Sequence, residues 1–168
     1  MDPHGTGVEV AALKPLAATV ALVLLWTAEA VFPMFPGRAR RIRHAAHNLA
    51  LGAMNAALAA ALFGAAMLAV TEWARAAGFG LLHQVPLPAW AAWPAAILLL
   101  DLWTYAWHRL NHRVPILWRF HAVHHADREM DVTTAVRFHT GEMMLSSLAR
   151  LAVLPLLGIG MPQLLLYE

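Results

Sequence analysis

The feature that most limits how this chain can fold is a series of long apolar runs, at about residues 15–35, 46–70, 89–107 and 143–167. A helix needs about 20 mostly apolar residues to cross the hydrocarbon core of a bilayer, where its backbone polar groups must be paired internally. The runs approach or exceed that length. The chain is therefore expected to be all-α, an integral membrane helical bundle with about four membrane segments in a single domain, residues 1–168. Composition points the same way: 60% of residues are hydrophobic and 13% charged, against roughly half and a quarter in soluble domains.

The first run, Leu16–Phe35, is interrupted by Thr19, Thr27 and Glu29 and exits at Pro33 and Pro36. A secretory signal is the alternative, with Ala28-Glu29-Ala30 as a loose cleavage site, but Met1–Val10 lacks the basic front such a signal needs. In the second run Gly52, Ala53, Ala56, Ala57, Ala60 and Gly64 would let a neighbouring helix approach closely. Thr71–Pro88, with Gly78, Gly80, Pro86 and Pro88, reads as a re-entrant or interfacial loop, and Trp73, Trp90 and Trp93 as interface anchors. Pro155, Gly158, Gly160 and Pro162 divide the last run into two shorter helices.

The basic pI of about 9.7 comes from arginine, since Lys14 is the only lysine. The arginines flank apolar runs, which fits a membrane surface and not nucleic acid. Arg38, Arg40, Arg41 and Arg43 follow the first run; Arg109, Arg113, Arg119, Arg128 and Arg137 follow the third. Lys14 and Arg75 fall on the opposite side. By the positive-inside rule both basic segments are cytoplasmic and the N-terminus lies outside.

The chain has no cysteine, which excludes disulfides, thiolate metal sites and cysteine nucleophiles, but it has ten histidines. Six fall between His108 and His139, in a polar helical segment spanning residues 108–142. His108 and His112 share one helical face, as do His121, His124 and His125. Pro115 marks a turn between the clusters. Two short helices folded together would bring five imidazoles to one point. That exceeds the usual complement of one zinc ion and suits two metal ions. Iron fits best because zinc has no redox chemistry, although zinc can take iron's place in a preparation. Asp101 lies seven residues before His108, on a face shared with Thr104, Tyr105 and His112, and is expected to orient a ligating imidazole from outside the metal's own shell.

Plainer readings apply elsewhere. His4, His44, His47 and His83 read as surface or interface residues, and Asp127, Glu129 and Asp131 as a solvated acidic turn. Arg109, Arg113 and Arg119 read as headgroup anchors, and Trp103 and Trp107 as lipid-facing or packing residues. Glu29 and Arg150 either pair with each other or snorkel. The clustered histidines could also serve as a phospholipid headgroup site beside the arginines.

Asp101-Leu-Trp-Thr-Tyr105-Ala-Trp-His108-Arg-Leu-Asn-His112 and Trp118-Arg-Phe-His121-Ala-Val-His124-His125 resemble the fatty acid hydroxylase / sterol desaturase superfamily. Asp131-Val-Thr-Thr-Ala-Val-Arg137-Phe138-His139-Thr-Gly-Glu142 resembles the segment that follows the second His motif in its bacterial members. The resemblance is dense over about Asp101–Glu142 and upstream extends to layout alone. It implies a cytoplasmic di-iron centre that oxidises a C–H bond of a lipid-like substrate with dioxygen and two electrons from a separate donor. It also implies His108, His112, His121, His124 and His125 as metal ligands. His139 aligns with a characteristic position as a ligand, a group behind the ligands or a substrate contact. Members carry further His motifs downstream, whereas no histidine follows His139, so the chain is expected to be a truncated form whose own activity is open. The expected electron donor is a ferredoxin or a b-type cytochrome docked on the basic face. The alternatives are a non-catalytic metal- or haem-binding membrane protein, or an inactive membrane fragment.

Overall fold

A computed structural model describes residues 5–33 and 40–168, with side chains from Leu16 onward apart from that of Ala89. Among these residues every regular element is helical: α1 (Gly5–Val31), α2 (Arg41–Ala76), α3 (Leu81–Gln84), α4 (Ala89–Arg113), α5 (Pro115–His125), a 3-10 turn (Val132–Val136), α6 (Thr140–Leu157) and α7 (Met161–Tyr167). His4, Phe35, Pro36 and Arg38 lie outside the described residues.

Among the described residues two stretches are long and apolar enough to cross a membrane by length and composition, fewer than the four expected: Arg41–Gln84, which comprises α2 and α3, and α6. Leu16–Val31 is apolar but shorter. In α4 the apolar stretch from Ala89 stops at Asp101, and the helix ends in His108, Arg109, Asn111, His112 and Arg113. The expected loop at Thr71–Pro88 starts later, because α2 continues to Ala76. Part of the expected basic loop is likewise helical, with Arg41, Arg43, His44 and His47 in the first turns of α2. At 1.5 Å per residue the 36 residues of α2 reach about 54 Å, well beyond a hydrocarbon core of about 30 Å. Its basic front turns therefore extend past any apolar layer.

The interior is polar to an unusual degree. Buried polar residues outnumber buried apolar ones among the described residues. Large apolar side chains such as Leu24, Leu62, Leu98 and Leu102 are more than half exposed. A chain folded for water would invert this pattern. The apolar core is a small cluster of Ala96, Leu100, Leu154, Ile159 and Leu164, where α4, α6 and α7 meet.

Polar pairing locks the segment around the 3-10 turn onto α2. Asn48 Nδ2 donates to Thr133 Oγ1 at 3.1 Å, and Asn55 Nδ2 donates to the Phe138 carbonyl at 2.8 Å. Thr140 Oγ1 donates to Asn55 Oδ1 at 2.8 Å. The two asparagines are seven residues apart and so share a helical face. Between them Gly52 lets Val136 lie against the helix, since an added Cβ would come within 3.0 Å of Val136 Cβ. Asp131 caps the 3-10 turn, accepting from Thr133 N–H at 2.8 Å.

Asp127 is not part of a solvated turn. Its side chain is 2% exposed and lies 3.1 Å from His44 Nε2. Burial opposes its charge, but hydrogen bonds from Thr134 Oγ1 and Glu129 N–H, with His44 and Arg137 nearby, outweigh that and hold the carboxyl below its ordinary range. Glu29 and Arg150 do not pair with each other. Glu29 sits 3.6 Å from Arg41 and accepts from Val132 N–H at 3.3 Å, tying α1 to α2 and the 3-10 turn. Arg150 pairs with Glu168.

Gly80 has φ 108 and ψ 159 and rests on the end of α6, where an added Cβ would overlap the Pro155 carbonyl oxygen and come within 2.6 Å of Gly158 Cα. That backbone region is essentially closed to other residues, at a cost of about 1–3 kcal/mol before any clash. Gly80→Ala is expected to lower the thermal unfolding midpoint clearly, while Gly64→Ala, with open space at its Cβ, leaves it unchanged or slightly higher.

Candidate metal centre

The break between α4 and α5 builds the site. Val114 is extended (φ −94, ψ 115) and Pro115 opens α5, as expected of the residue before a proline and of proline in a first helical turn. The chain thus reverses within one residue, and the end of α4 packs on α5. His108 and His112 face His121 and His125 across this corner.

One potential ligand nitrogen from each of these four residues lies within 4.8 Å of all the others. Nε2 of His108 and Nε2 of His112 are 3.1 Å apart, and those of His121 and His125 are 3.2 Å apart. The rings of His121 stand edge-on to those of His108 and His112, with centroids 4.7 and 4.9 Å away. His121 is fully buried and the other three are exposed, so the cluster has one closed side and one open side. Trp118 lies beside the open side, its ring 5.3 Å from that of His112 and 5.6 Å from that of His125.

Burial, followed by the neighbouring His112 and His124, pushes the His121 imidazole down to about 4. Burial and the surrounding imidazoles also lower His125. Both are therefore neutral near pH 7 and carry a free lone pair. His121 Nδ1 lies 2.7 Å from Glu142 Oε1; an ionised carboxylate there accepts from Nδ1–H and leaves the Nε2 lone pair facing the cluster. These close nitrogen pairs are N–H···N hydrogen bonds in the metal-free protein, and with both lone pairs turned inward they become ligand pairs for a cation. Nitrogen ligands about 2.1 Å from one ion are at most about 4.2 Å apart, so the set needs only small shifts to close on one metal ion. A thiolate-free imidazole set suits iron, zinc, copper or nickel.

Other expected site residues lie elsewhere. Successive helical residues are turned by about 100°, so His124 and His125 flank His121 on opposite sides and only His125 follows it toward α4. His124 instead stacks on Phe138, with ring centroids 4.6 Å apart at 3°, and its buried Nδ1 has no hydrogen-bond partner. His139 caps α6, its Nδ1 accepting from Gly141 N–H at 2.9 Å. Asp101 does share a face with His108, but seven residues separate them by about 10 Å along the axis. Asp101 instead pairs with the Tyr167 hydroxyl at 3.4 Å. The Tyr105 hydroxyl accepts from Arg109 at 2.8 Å.

The sequence reading missed Glu142 and Asn111. Both are buried, and Asn111 Nδ2 donates to Glu142 Oε1 at 3.1 Å. An acid opening an apolar helix was the visible signal for Glu142; nothing local marked Asn111.

Residues 93–167 match the family model described as fatty acid hydroxylase. The chain is 40% identical over 58 residues to an alkylglycerol monooxygenase of Danio rerio, covering 33% of this chain and 13% of that protein. It is 34% identical over 56 residues to the alkylglycerol monooxygenase of Homo sapiens, with the same two coverages of 33% and 13%. The chain thus spans a small part of the length of these relatives. No solved structure matches the chain significantly.

Because His139 holds the first turn of α6, His139→Ala is expected to cost about 1 kcal/mol of stability, as loss of an N-cap does. His139→Asn, which keeps a capping acceptor, is expected to restore it. Thermal unfolding of the two variants beside the parent measures the difference.

Proposed function

Taking the match of residues 93–167 to the fatty acid hydroxylase family as premise, we propose that this chain carries part of a membrane-bound non-haem iron oxygenase that hydroxylates or desaturates a lipid-like substrate. The observation that carries the reading is the convergence of His108, His112, His121 and His125 within 4.8 Å. These four would hold one iron ion. His124, with its unpartnered buried Nδ1, is the imidazole available to a second ion, as in a di-iron centre. When bound, iron supplies activation of dioxygen and oxidation of an unactivated C–H bond.

The chain's own residues account for the rest of the arrangement. His121 and His125, held neutral near pH 7 on a helical corner, present lone pairs without prior loss of a proton. The closed side, around buried His121, would keep water from one face of a bound metal, and the open side beside Trp118 would leave the other face accessible. Arg109, Arg113, Arg119 and Arg128 are exposed on the same segment. They form a basic surface suited to an acidic electron donor such as a ferredoxin or a b-type cytochrome. The arginine asymmetry further supports His motifs on the cytoplasmic side and the N-terminus outside. The relatives are named for alkylglycerol, so an ether lipid is the first substrate to try.

A haem-binding alternative finds little support. Imidazoles packed edge to face at 4.7–4.9 Å leave no slot for a macrocycle between them.

Metal analysis of the purified chain tests the reading. The parent is expected to carry iron, and a variant with His108→Ala and His121→Ala is expected to retain only background. Equal iron in the two would refute the site. Since metal bound to the folded state stabilises it by mass action, removal with a chelator is expected to lower the unfolding midpoint of the parent and leave that of the variant unmoved.

A further inference from the structure

Glu142 lies where α4, α5 and α6 meet. Its Oε1 is 2.7 Å from His121 Nδ1 on α5 and 3.1 Å from Asn111 Nδ2 on α4. The side chain is 7% exposed, and Oε2 is buried without a hydrogen-bond partner. A buried carboxylate satisfied at one oxygen is a poor structural choice. Apolar residues in place of Glu142 and its two polar partners together would hold three helices together as well or better. The acid is set against the far nitrogen of the one fully buried imidazole in the cluster.

That placement has a chemical consequence. Neutral imidazole carries its proton on one nitrogen and its lone pair on the other. An acceptor at Nδ1 selects the tautomer with its lone pair on Nε2, and it also fixes the rotation of the ring. Nε2 of His121 then points at Nε2 of His125, 3.2 Å away.

We propose that Glu142 is a positioning residue: its carboxylate fixes the tautomer and ring angle of His121 so that Nε2 is presented to the metal, and Asn111 in turn fixes Glu142. This is the role that the sequence suggested for Asp101. The inference rests on the metal reading of the preceding subsection.

The test uses the full chain in detergent, stripped of metal and titrated with cobalt(II) alone. Visible absorption reports on the ligand field, and unfolding of the metal-free protein reports on the fold. Glu142→Leu leaves Asn111 Nδ2 and His121 Nδ1 without their acceptor, so it is expected to fold less stably than the parent without metal, and to bind cobalt roughly 10–100-fold more weakly, as loss of a group behind a ligating histidine does. Glu142→Gln keeps a carbonyl acceptor for Nδ1–H and is expected to lose several-fold. Parental cobalt affinity and spectrum in both variants would overturn the role given to Glu142. If Glu142→Leu does not fold, the nearly isosteric Glu142→Gln decides by the same criterion. A parent that takes up no cobalt overturns the metal reading itself, and this inference with it. A parent that binds cobalt while its variants bind equally well overturns this inference alone.

Discussion

The contact between His121 Nδ1 and Glu142 Oε1, at 2.7 Å, is the interaction on which the rest of the molecule turns. It joins α5 to α6 at the point where α5 crosses α4, and Asn111 extends it onto α4. Remove it and the three helices still have apolar surfaces to share, but nothing sets the angle at which the buried imidazole enters the cluster. Helix packing alone tolerates scatter in angle and offset. A metal shell does not, since its bond lengths are fixed to within a few tenths of an ångström. A polar contact in a dry interior supplies the directionality that packing lacks.

The same logic explains why the interior is so polar. Much of the apolar surface faces outward, as in Leu24, Leu62, Leu98 and Leu102. Where lipid surrounds a helix, burying leucine against leucine gains little over leaving it in lipid, and association rests on close packing and interhelical hydrogen bonds. Asn48 and Asn55 on α2, with Gly52 between them, hold the 3-10 turn and the start of α6. That places the His139 cap, and hence Glu142 one turn further on. A chain of polar contacts thus runs from α2 through α6 to His121.

The metal reading gains from its asymmetry. Three imidazoles of the cluster are exposed and one is buried. The closed side carries the contact between His121 and Glu142, and the open side leaves three imidazoles accessible. His124 stands beside the cluster and outside it, stacked on Phe138. Five imidazoles in two motifs thus separate into a set of four and a neighbour, an arrangement suited to two unequal metal positions.

Local sequence determined a good deal. Apolar runs long enough for membrane helices pointed to an all-α chain, and the spacing of His108 with His112 and of His121 with His125 put each pair on one face, because helical periodicity is set by the backbone alone. Pro115 marked the corner. Composition did not reveal which runs were apolar for long enough, since Asp101 and the polar end of α4 shorten the third. Nor did spacing show which acid would meet the cluster: Asp101 lies beside Tyr167, and Glu142 lies against His121. The choice of His125 over His124, the capping role of His139, and the pairing of Glu29 with Arg41 all depend on which helices become neighbours. Such contacts join residues far apart in the chain through side-chain shape and hydrogen-bond direction, and no periodicity in the sequence encodes them.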